Sequence, residues 1–281
     1  IRNVNKMDGV ANLTQPPIEA GEQFLYEVPL TESGTYWYHA HTMGWEQVAR
    51  GLYGPLIIDD DEDPAVDHDF TLMIDDWRLD QNGQIDDSSF GSLHDWSHAG
   101  RFGNWLTVNG TSDPLLFAKL GARLRLRLIN AANARIFKIK IGGAIATLIA
   151  EDGAVCLPEK IDLVNLAPGQ RADLIIDMDQ DSIILQEIST GEPYPAGRII
   201  ADPELGHAEI NKTAIKLATP PPITDMSSAK VIDVHMQGGA MGNLTEAIFN
   251  GDNLPINTLA REHKKLWAFN GRVGDYGQTL A

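Results

Sequence analysis

The sequence predicts an all-β protein built of β-sandwiches. Short runs rich in β-branched and aromatic residues recur along the 281 residues, and turn signals separate them. The chain has 26 glycines and 15 prolines, which suit a turn-rich β architecture better than a helical one. Helix is expected only as single turns within 45–54 and 243–250.

The predicted strands follow one another at regular intervals. They cover 23–30, 35–41, 54–60, 69–77, 104–110, 123–131, 135–141, 146–153, 171–178 and 230–236, and a further strand begins within 264–271. The run "RLRLRLI" places Arg123, Arg125 and Arg127 on one strand face and leucines on the other. This alternation predicts a half-buried strand rather than a nucleic-acid patch.

Composition limits the classes of partner. The net charge of -17 disfavours nucleic acid and anionic membranes, which bind basic patches. No apolar run approaches the roughly 20 residues of a membrane-spanning helix. Cys156 is the single cysteine, so an intrachain disulfide is impossible.

Two linker-like segments divide the chain. An acidic stretch at 59–69 and a proline-rich stretch at 218–229 enclose a segment long enough for one β domain. The residues before the first linker are too few for a complete sandwich. The sequence starts without a methionine or a leader, and we expect both flanking pieces to be parts of longer domains.

Two histidines in "GTYWYHAH" carry the clearest chemical signal. His39 and His41 are two residues apart in a β-prone run, so both imidazoles point to one strand face. Imidazole is a common ligand for copper and zinc, but spacing alone also allows two satisfied histidines without metal. His94 and His98 in "HDWSH" could meet on one helical turn, although the surrounding residues favour a polar loop with solvated side chains. His68 and His263 are also expected at the surface.

Several motifs resemble one family when taken in order. "DGV" and "TQPPI" within 8–18, "GTYWYHAH" at 34–41 and "GLYGPLIID" at 51–59 resemble the first domain of multicopper oxidases, which include laccases, bacterial copper-resistance oxidases and copper efflux oxidases. Segments 103–110, 124–141, 150–153 and 166–178 resemble their second domain, and "LWAFNGR" at 266–272 the start of the third. The resemblance implies tandem cupredoxin-like Greek-key sandwiches. Residues 1–62 would be the C-terminal part of domain 1, 66–219 domain 2, and 220–281 a linker with the start of domain 3.

The resemblance also implies a copper-dependent activity. Such oxidases take single electrons from phenolic, aromatic or metal-ion substrates such as Cu(I), and reduce dioxygen to water. By similarity, His39 and His41 would each ligate one copper of the type 3 pair in a trinuclear cluster. Asp8 would help to deliver protons, although Asp8 with Gly9 also fits a plain turn. The type 1 and type 2 copper ligands would lie outside this chain, which by itself should be inactive.

Other features carry weaker expectations. Cys156 has no neighbouring histidine and is expected to be an ordinary residue of the second domain, not a blue-copper ligand. Met236 and Met241 lie in a segment that favours a lid or packing role over a cuprous-ion site. The family implies a periplasmic or secreted protein. The alternative is a non-enzymatic copper-binding or assembly protein on the same scaffold.

Overall fold

A computed structural model of the chain describes residues 5–208, 215, 219–220, 222 and 224–274. The all-β prediction is confirmed, because strands dominate and the helices are short. The chain forms two compact units, Ile1–Ile85 with Phe102–Pro221, and Asp86–Arg101 with Pro222–Ala281.

The first unit contains thirteen strands and one α-helix among its described residues. They are β1 (Gly34–His39), α1 (Gly44–Gln47), β2 (Tyr53–Ile58), β3 (His68–Trp77), β4 (Trp105–Val108), β5 (Leu115–Ala118), β6 (Arg123–Asn130), β7 (Phe137–Gly142), β8 (Ala146–Glu151), β9 (Ala154–Ile161), β10 (Leu163–Leu166), β11 (Arg171–Asp177), β12 (Ser182–Glu187) and β13 (Tyr194–Ala201). Short 3-10 turns lie at Asn5–Met7, Val48–Arg50 and Pro203–Leu205.

Strands β3 to β13 form a two-sheet sandwich. One sheet has the order β4-β3-β6-β11-β8-β9 and the other β10-β7-β12-β13-β5. The pairs β3–β6 and β13–β5 are parallel, and the remaining pairs are antiparallel. Strands β1 and β2 form a separate antiparallel pair, with Gly34 opposite Ile58 and His39 opposite Tyr53.

The core fills the space between the two sheets. Leu124, Leu126 and Leu128 of β6 are fully buried, as are Phe137 and Ile139 of β7 in the other sheet. Burying one such side chain stabilises the fold by about 1.5–3 kcal/mol. The leucine face of "RLRLRLI" is therefore the core face of the central strand.

The opposite face of β6 is also buried, which corrects the prediction of a half-buried strand. Arg127 is only 1% exposed and Arg125 only 4%. The reason lies in the acidic segment, whose carboxylates cover the arginines. Asp63 contacts Arg125 at 2.8 Å, and Asp59 contacts Arg127 at 3.2 Å. Residues 59–69 are thus tied to the sandwich instead of forming a free linker.

The second unit contains two short strand pairs and two helices among its described residues. Its elements are a 3-10 turn at Asp87–Ser89, α2 (Leu93–Ser97), β14 (Met236–Gly238), β15 (Glu246–Phe249), β16 (Asp252–Pro255), α3 (Ile256–Glu262) and β17 (Trp267–Phe269). β14 pairs with β17, as expected for a strand within 264–271, and β15 pairs with β16. Ala247, Leu259 and Ala268 form the centre of its small core.

Three local predictions are wrong. The range 243–250 contains the strand Glu246–Phe249 instead of a helical turn, because Asn250 and Gly251, both at positive φ, make a two-residue turn that closes the β15–β16 hairpin. Residues 23–30 form no strand; they lack a pairing partner in the described part of the chain, and Leu25 is 77% exposed. Of the run 230–236, only Met236 is in a strand.

Candidate metal centre

The two histidines of "HAH" stand side by side at the end of β1. His39 is the last residue of the strand, and His41 follows after one alanine. Their ring centroids are 6.0 Å apart with an interplanar angle of 27°. Both side chains are exposed, so both imidazoles are accessible to a metal ion.

Neighbouring groups hold His39 in an orientation suited to ligation. Its Nδ1 lies 3.2 Å from the carbonyl oxygen of Ala40. A carbonyl has no proton to give, so Nδ1 carries the proton, donates it to this bond, and leaves the Nε2 lone pair free. The indole of Trp37 lies against the imidazole, with centroids 4.4 Å apart.

Asp8 and the two histidines line one cavity of about 870 Å³. Asp8 comes from the segment before the hairpin, and Gly9 beside it has φ +80 and lies close to Tyr26. The turn expected at this position and a carboxylate facing the cavity are therefore compatible. The structure brings together all three residues that the sequence predicted for the site.

Additional residues of this cavity were not predicted. Gln15 is 9% exposed, and its Oε1 has no hydrogen-bond partner among the described residues. Arg171 also lines the cavity, where its guanidinium lies 6.0 Å from the ring centroid of Tyr36. Gln15 belongs to the "TQPPI" motif, but a lone glutamine gives no signal in the sequence that it lines a cavity. Arg171 is far away in sequence and carries no signal of its own.

Strand β1 is fixed to the sandwich through Thr35. Arg127 donates to the Thr35 hydroxyl at 3.2 Å, and Arg171 donates to the Thr35 carbonyl oxygen at 3.2 Å. Gly34 makes this approach possible, because a Cβ at its position would lie 2.6 Å from the carbonyl oxygen of Gly153 in the β8–β9 turn. Residues of the sandwich therefore set the position of the strand that ends at His39.

Strand β2 is fixed by a half-buried tyrosine. The Tyr53 hydroxyl donates to Asp75 Oδ2 at 2.6 Å. Burial and the Asp75 charge raise the pKa of Tyr53 well above its ordinary value. The Tyr53 and Trp37 side chains both pack on Met73, Ile129 and Ala131 of the sandwich.

Cys156 lies in β9, half-buried and unbridged. Burial, followed by the charge of Glu151, raises the pKa of its thiol. A copper-binding cysteine ligates as a thiolate. The surroundings of Cys156 oppose that form.

The remaining predicted surface histidines differ in their surroundings. His68 begins β3, and its Nε2 accepts a hydrogen bond from the backbone of Lys119, so it is half-buried and not in a free linker. His263 is half-buried against Phe249 at 4.6 Å. His94 and His98 are exposed, but they lie on α2 and its C-cap instead of on a loop. Within the described ranges, no group of three or more His, Cys, Asp or Glu side chains is placed to hold a metal ion.

Two family models, both described as multicopper oxidase, match residues 1–63 and 68–184. The chain belongs to the multicopper oxidase family. Laccase-1 of Thanatephorus cucumeris is 34% identical over 194 residues, which are 62% of this chain and 32% of that protein. Cell division protein FtsP of Salmonella typhimurium is 33% identical over 178 residues, which are 58% of this chain and 36% of that protein.

Solved structures give the same picture. A multi-copper oxidase from Pseudomonas thermotolerans matches with a TM-score of 0.74 and 26% identity, covering 83% of this chain and 56% of that one. Lac15 from a marine microbial metagenome matches with a TM-score of 0.62 and 37% identity, covering 79% and 55%. The chain spans about a third of the length of the laccases it matches. Within the described residues, no helix has the length and apolar character needed to cross a membrane.

Proposed function

We propose that this chain contributes two copper ligands, His39 and His41, to a multicopper oxidase that couples one-electron oxidation of a phenolic, aromatic or metal-ion substrate to reduction of dioxygen to water. The reductant would be a small molecule or an ion such as Cu(I). The domain limits 1–62, 66–219 and 220–281 and a periplasmic or secreted location belong to the same proposal.

One observation carries the proposal: two accessible imidazoles and a carboxylate share one cavity. The donor set fits copper, which prefers imidazole nitrogen, and the bond from His39 Nδ1 to Ala40 leaves Nε2 available. Two imidazoles are only part of a trinuclear centre, however. The isolated chain is therefore expected to show no oxidase activity.

The roles of the chain's own residues follow from their positions. Copper, when bound, would supply electron transfer to dioxygen. His39, through Nε2, and His41 would each ligate one copper, and the Trp37 indole packed against the His39 ring restricts its rotation. The Asp8 carboxylate would take up protons and release them into the cavity, since reduction of dioxygen to water consumes protons.

A second function is favoured by a specific comparison. Cell division protein FtsP of Sodalis glossinidius is 28% identical over 270 residues, which are 89% of this chain and 54% of that protein. The whole protein could accordingly act in assembly without catalysis. The two functions differ in whether copper is required.

The test is copper stoichiometry and oxygen consumption, measured on the whole protein encoded by the gene and on this chain. Oxidase function predicts copper and oxygen consumption in the whole protein, and a lower copper content with loss of oxygen consumption in His39→Gln and His41→Gln variants. His207→Gln is the matched control, since His207 is exposed and outside the cavity lining. A whole protein without copper and without oxygen consumption would contradict oxidase function and favour the assembly role.

Asp8→Asn tests proton delivery separately. The variant should keep its copper, because Asp8 is not proposed as a ligand, while oxygen consumption falls by about 10²–10⁴-fold, the range of a general acid–base contribution. An unchanged rate and pH profile would remove Asp8 from the mechanism.

A further inference from the structure

A second pair of histidines lies on α2, in the compact unit that contains Asp86–Arg101. His94 is in the helix, and His98 is its C-cap, four residues later. Residues four apart in a helix lie on the same face. The two imidazoles are stacked, with centroids 4.2 Å apart and an interplanar angle of 19°, and both are exposed.

The backbone of the helix fixes the ring of His98. Its Nδ1 lies 2.8 Å from the carbonyl oxygen of His94 and 3.0 Å from the Ser97 hydroxyl. The carbonyl can only accept, so Nδ1 carries the proton. The free lone pair is therefore on Nε2, on the far edge of the ring from the helix backbone.

His94 has a weaker contact. Its Nδ1 lies 3.7 Å from the Asp95 carboxylate, a distance at which the carboxylate acts on the ring through its charge and not through a hydrogen bond. Asp95 is 7% exposed, and its backbone N–H donates to the Ser92 N-cap hydroxyl. A carbonyl that holds Nδ1–H, as at His98, is a usual support for a metal-binding histidine.

The geometry and the charge both suit a divalent transition-metal ion. Two nitrogens bound to one tetrahedral metal are roughly 3.3 Å apart, given metal–nitrogen distances of about 2.0–2.1 Å. The lone pairs of stacked rings run nearly parallel, so the exposed His94 ring would turn about its side-chain torsions to bring both nitrogens onto one ion, and the 4.2 Å separation keeps them within reach. The net charge of -17 raises the local concentration of cations.

We propose that His94 and His98 form a surface site for a borderline divalent metal ion, separate from the His39 and His41 pair. Imidazole nitrogens bind copper(II) more tightly than zinc or nickel, so this site should bind copper(II) most tightly of these ions. Solvent molecules or another donor would complete the coordination. The site does not depend on oxidase function.

The experiment is zinc titration by calorimetry, using the whole chain with His39→Gln and His41→Gln as background. Zinc avoids redox chemistry, and the background removes the first histidine pair. One zinc ion should bind. Adding His94→Gln or His98→Gln should weaken zinc binding at least about 10-fold, which is the smallest effect expected even for residues that only support a metal ligand. His207→Gln, which removes an exposed histidine elsewhere, should change nothing.

A second measurement uses the unaltered chain and so does not depend on how the variants fold. Copper(II), added beyond the amount that saturates His39 and His41, should broaden the imidazole proton resonances of His94 and His98 together. The proposal is overturned if the background shows no saturable zinc binding, if His94→Gln and His98→Gln bind zinc as the background does, or if copper(II) leaves both resonances sharp. The proposal for His39 and His41 is tested by copper content and oxygen consumption, and it can fail whatever these results are.

Discussion

Replacing Arg127 by methionine should destabilise the protein strongly. Arg127 donates to Asp69 at 2.7 Å, to Asp59 at 3.2 Å and to Thr35 at 3.2 Å. It also lies 3.8 Å from Asp173, whose side chain is only 2% exposed. Methionine fills similar volume but removes the cation, so Asp69, Asp59 and Thr35 lose this donor.

The expected loss can be estimated from the burial of each partner. Removing one member of a buried ion pair costs about 3–5 kcal/mol. Asp59 is 76% exposed and contributes little, and the contribution of Asp69, which is 35% exposed, is reduced because water partly solvates it. Asp173 keeps a contact with Arg125 at 2.7 Å. We therefore expect a loss of about 3 kcal/mol, the lower end of the range.

Urea denaturation followed by circular dichroism measures this loss as a lower midpoint with an unchanged slope. Arg198→Met is the matched control. Arg198 contacts the carboxylate of Asp113 at 2.8 Å, a length close to that of the Arg127–Asp69 contact, but the Arg198 side chain is 44% exposed. The control should lose less than about 1 kcal/mol. Equal losses in the two variants would refute the argument that burial gives the Arg127 contacts their strength.

Three further outcomes are expected. Tyr53→Phe should cost about 1–3 kcal/mol in urea denaturation, because it removes the donor to buried Asp75. Since folding raises the Tyr53 pKa, this tyrosine's contribution is full below its unfolded pKa, near 10, and declines above it, so the difference between the proteins should shrink in alkali. Gly34→Ala should lower the melting temperature more than Gly191→Ala, since both have positive φ but only Gly34 faces a close carbonyl oxygen. Cys156 should react with iodoacetamide at pH 8 more slowly folded than unfolded, because its folded pKa is raised.

Each of these outcomes has a clear counter-result. Tyr38→Phe, on the same hairpin but 62% exposed, should leave stability nearly unchanged, and a loss equal to that of Tyr53→Phe would argue against the buried hydrogen bond. Equal melting temperatures for the two glycine variants would mean that backbone strain at positive φ, and not the close carbonyl oxygen, sets the loss of stability. A folded thiol that reacts as fast as the unfolded one would contradict the raised pKa.

Local pattern was enough to find the core face of β6 and to predict that His39 and His41 lie side by side. The alternation around Leu126 fixed the core face of β6, and the spacing of His39 and His41 placed both rings on one face of the chain. These features depend on neighbours within one strand. They require no knowledge of what lies opposite in the fold.

Features that depend on distant partners were missed. The arginines of β6 look half-exposed in sequence, and their burial follows from carboxylates about 60 residues earlier, such as Asp63 with Arg125 at a separation of 62 residues. Nothing within 23–30 shows that the segment lacks a pairing strand. The Asn250-Gly251 turn, in contrast, is a local hairpin signal that outweighs the helical composition of the residues before it.

The contacts that hold Thr35 also impose an order of assembly. Its partners Arg127 and Arg171 come 92 and 136 residues later in the chain. At a synthesis rate of about 5–20 residues per second, the second partner leaves the ribosome roughly 7–27 s after Thr35. Such long-range contacts form late in folding, after the loop between them has closed. The strand that ends at His39 is therefore made early and positioned late, once the sandwich has folded.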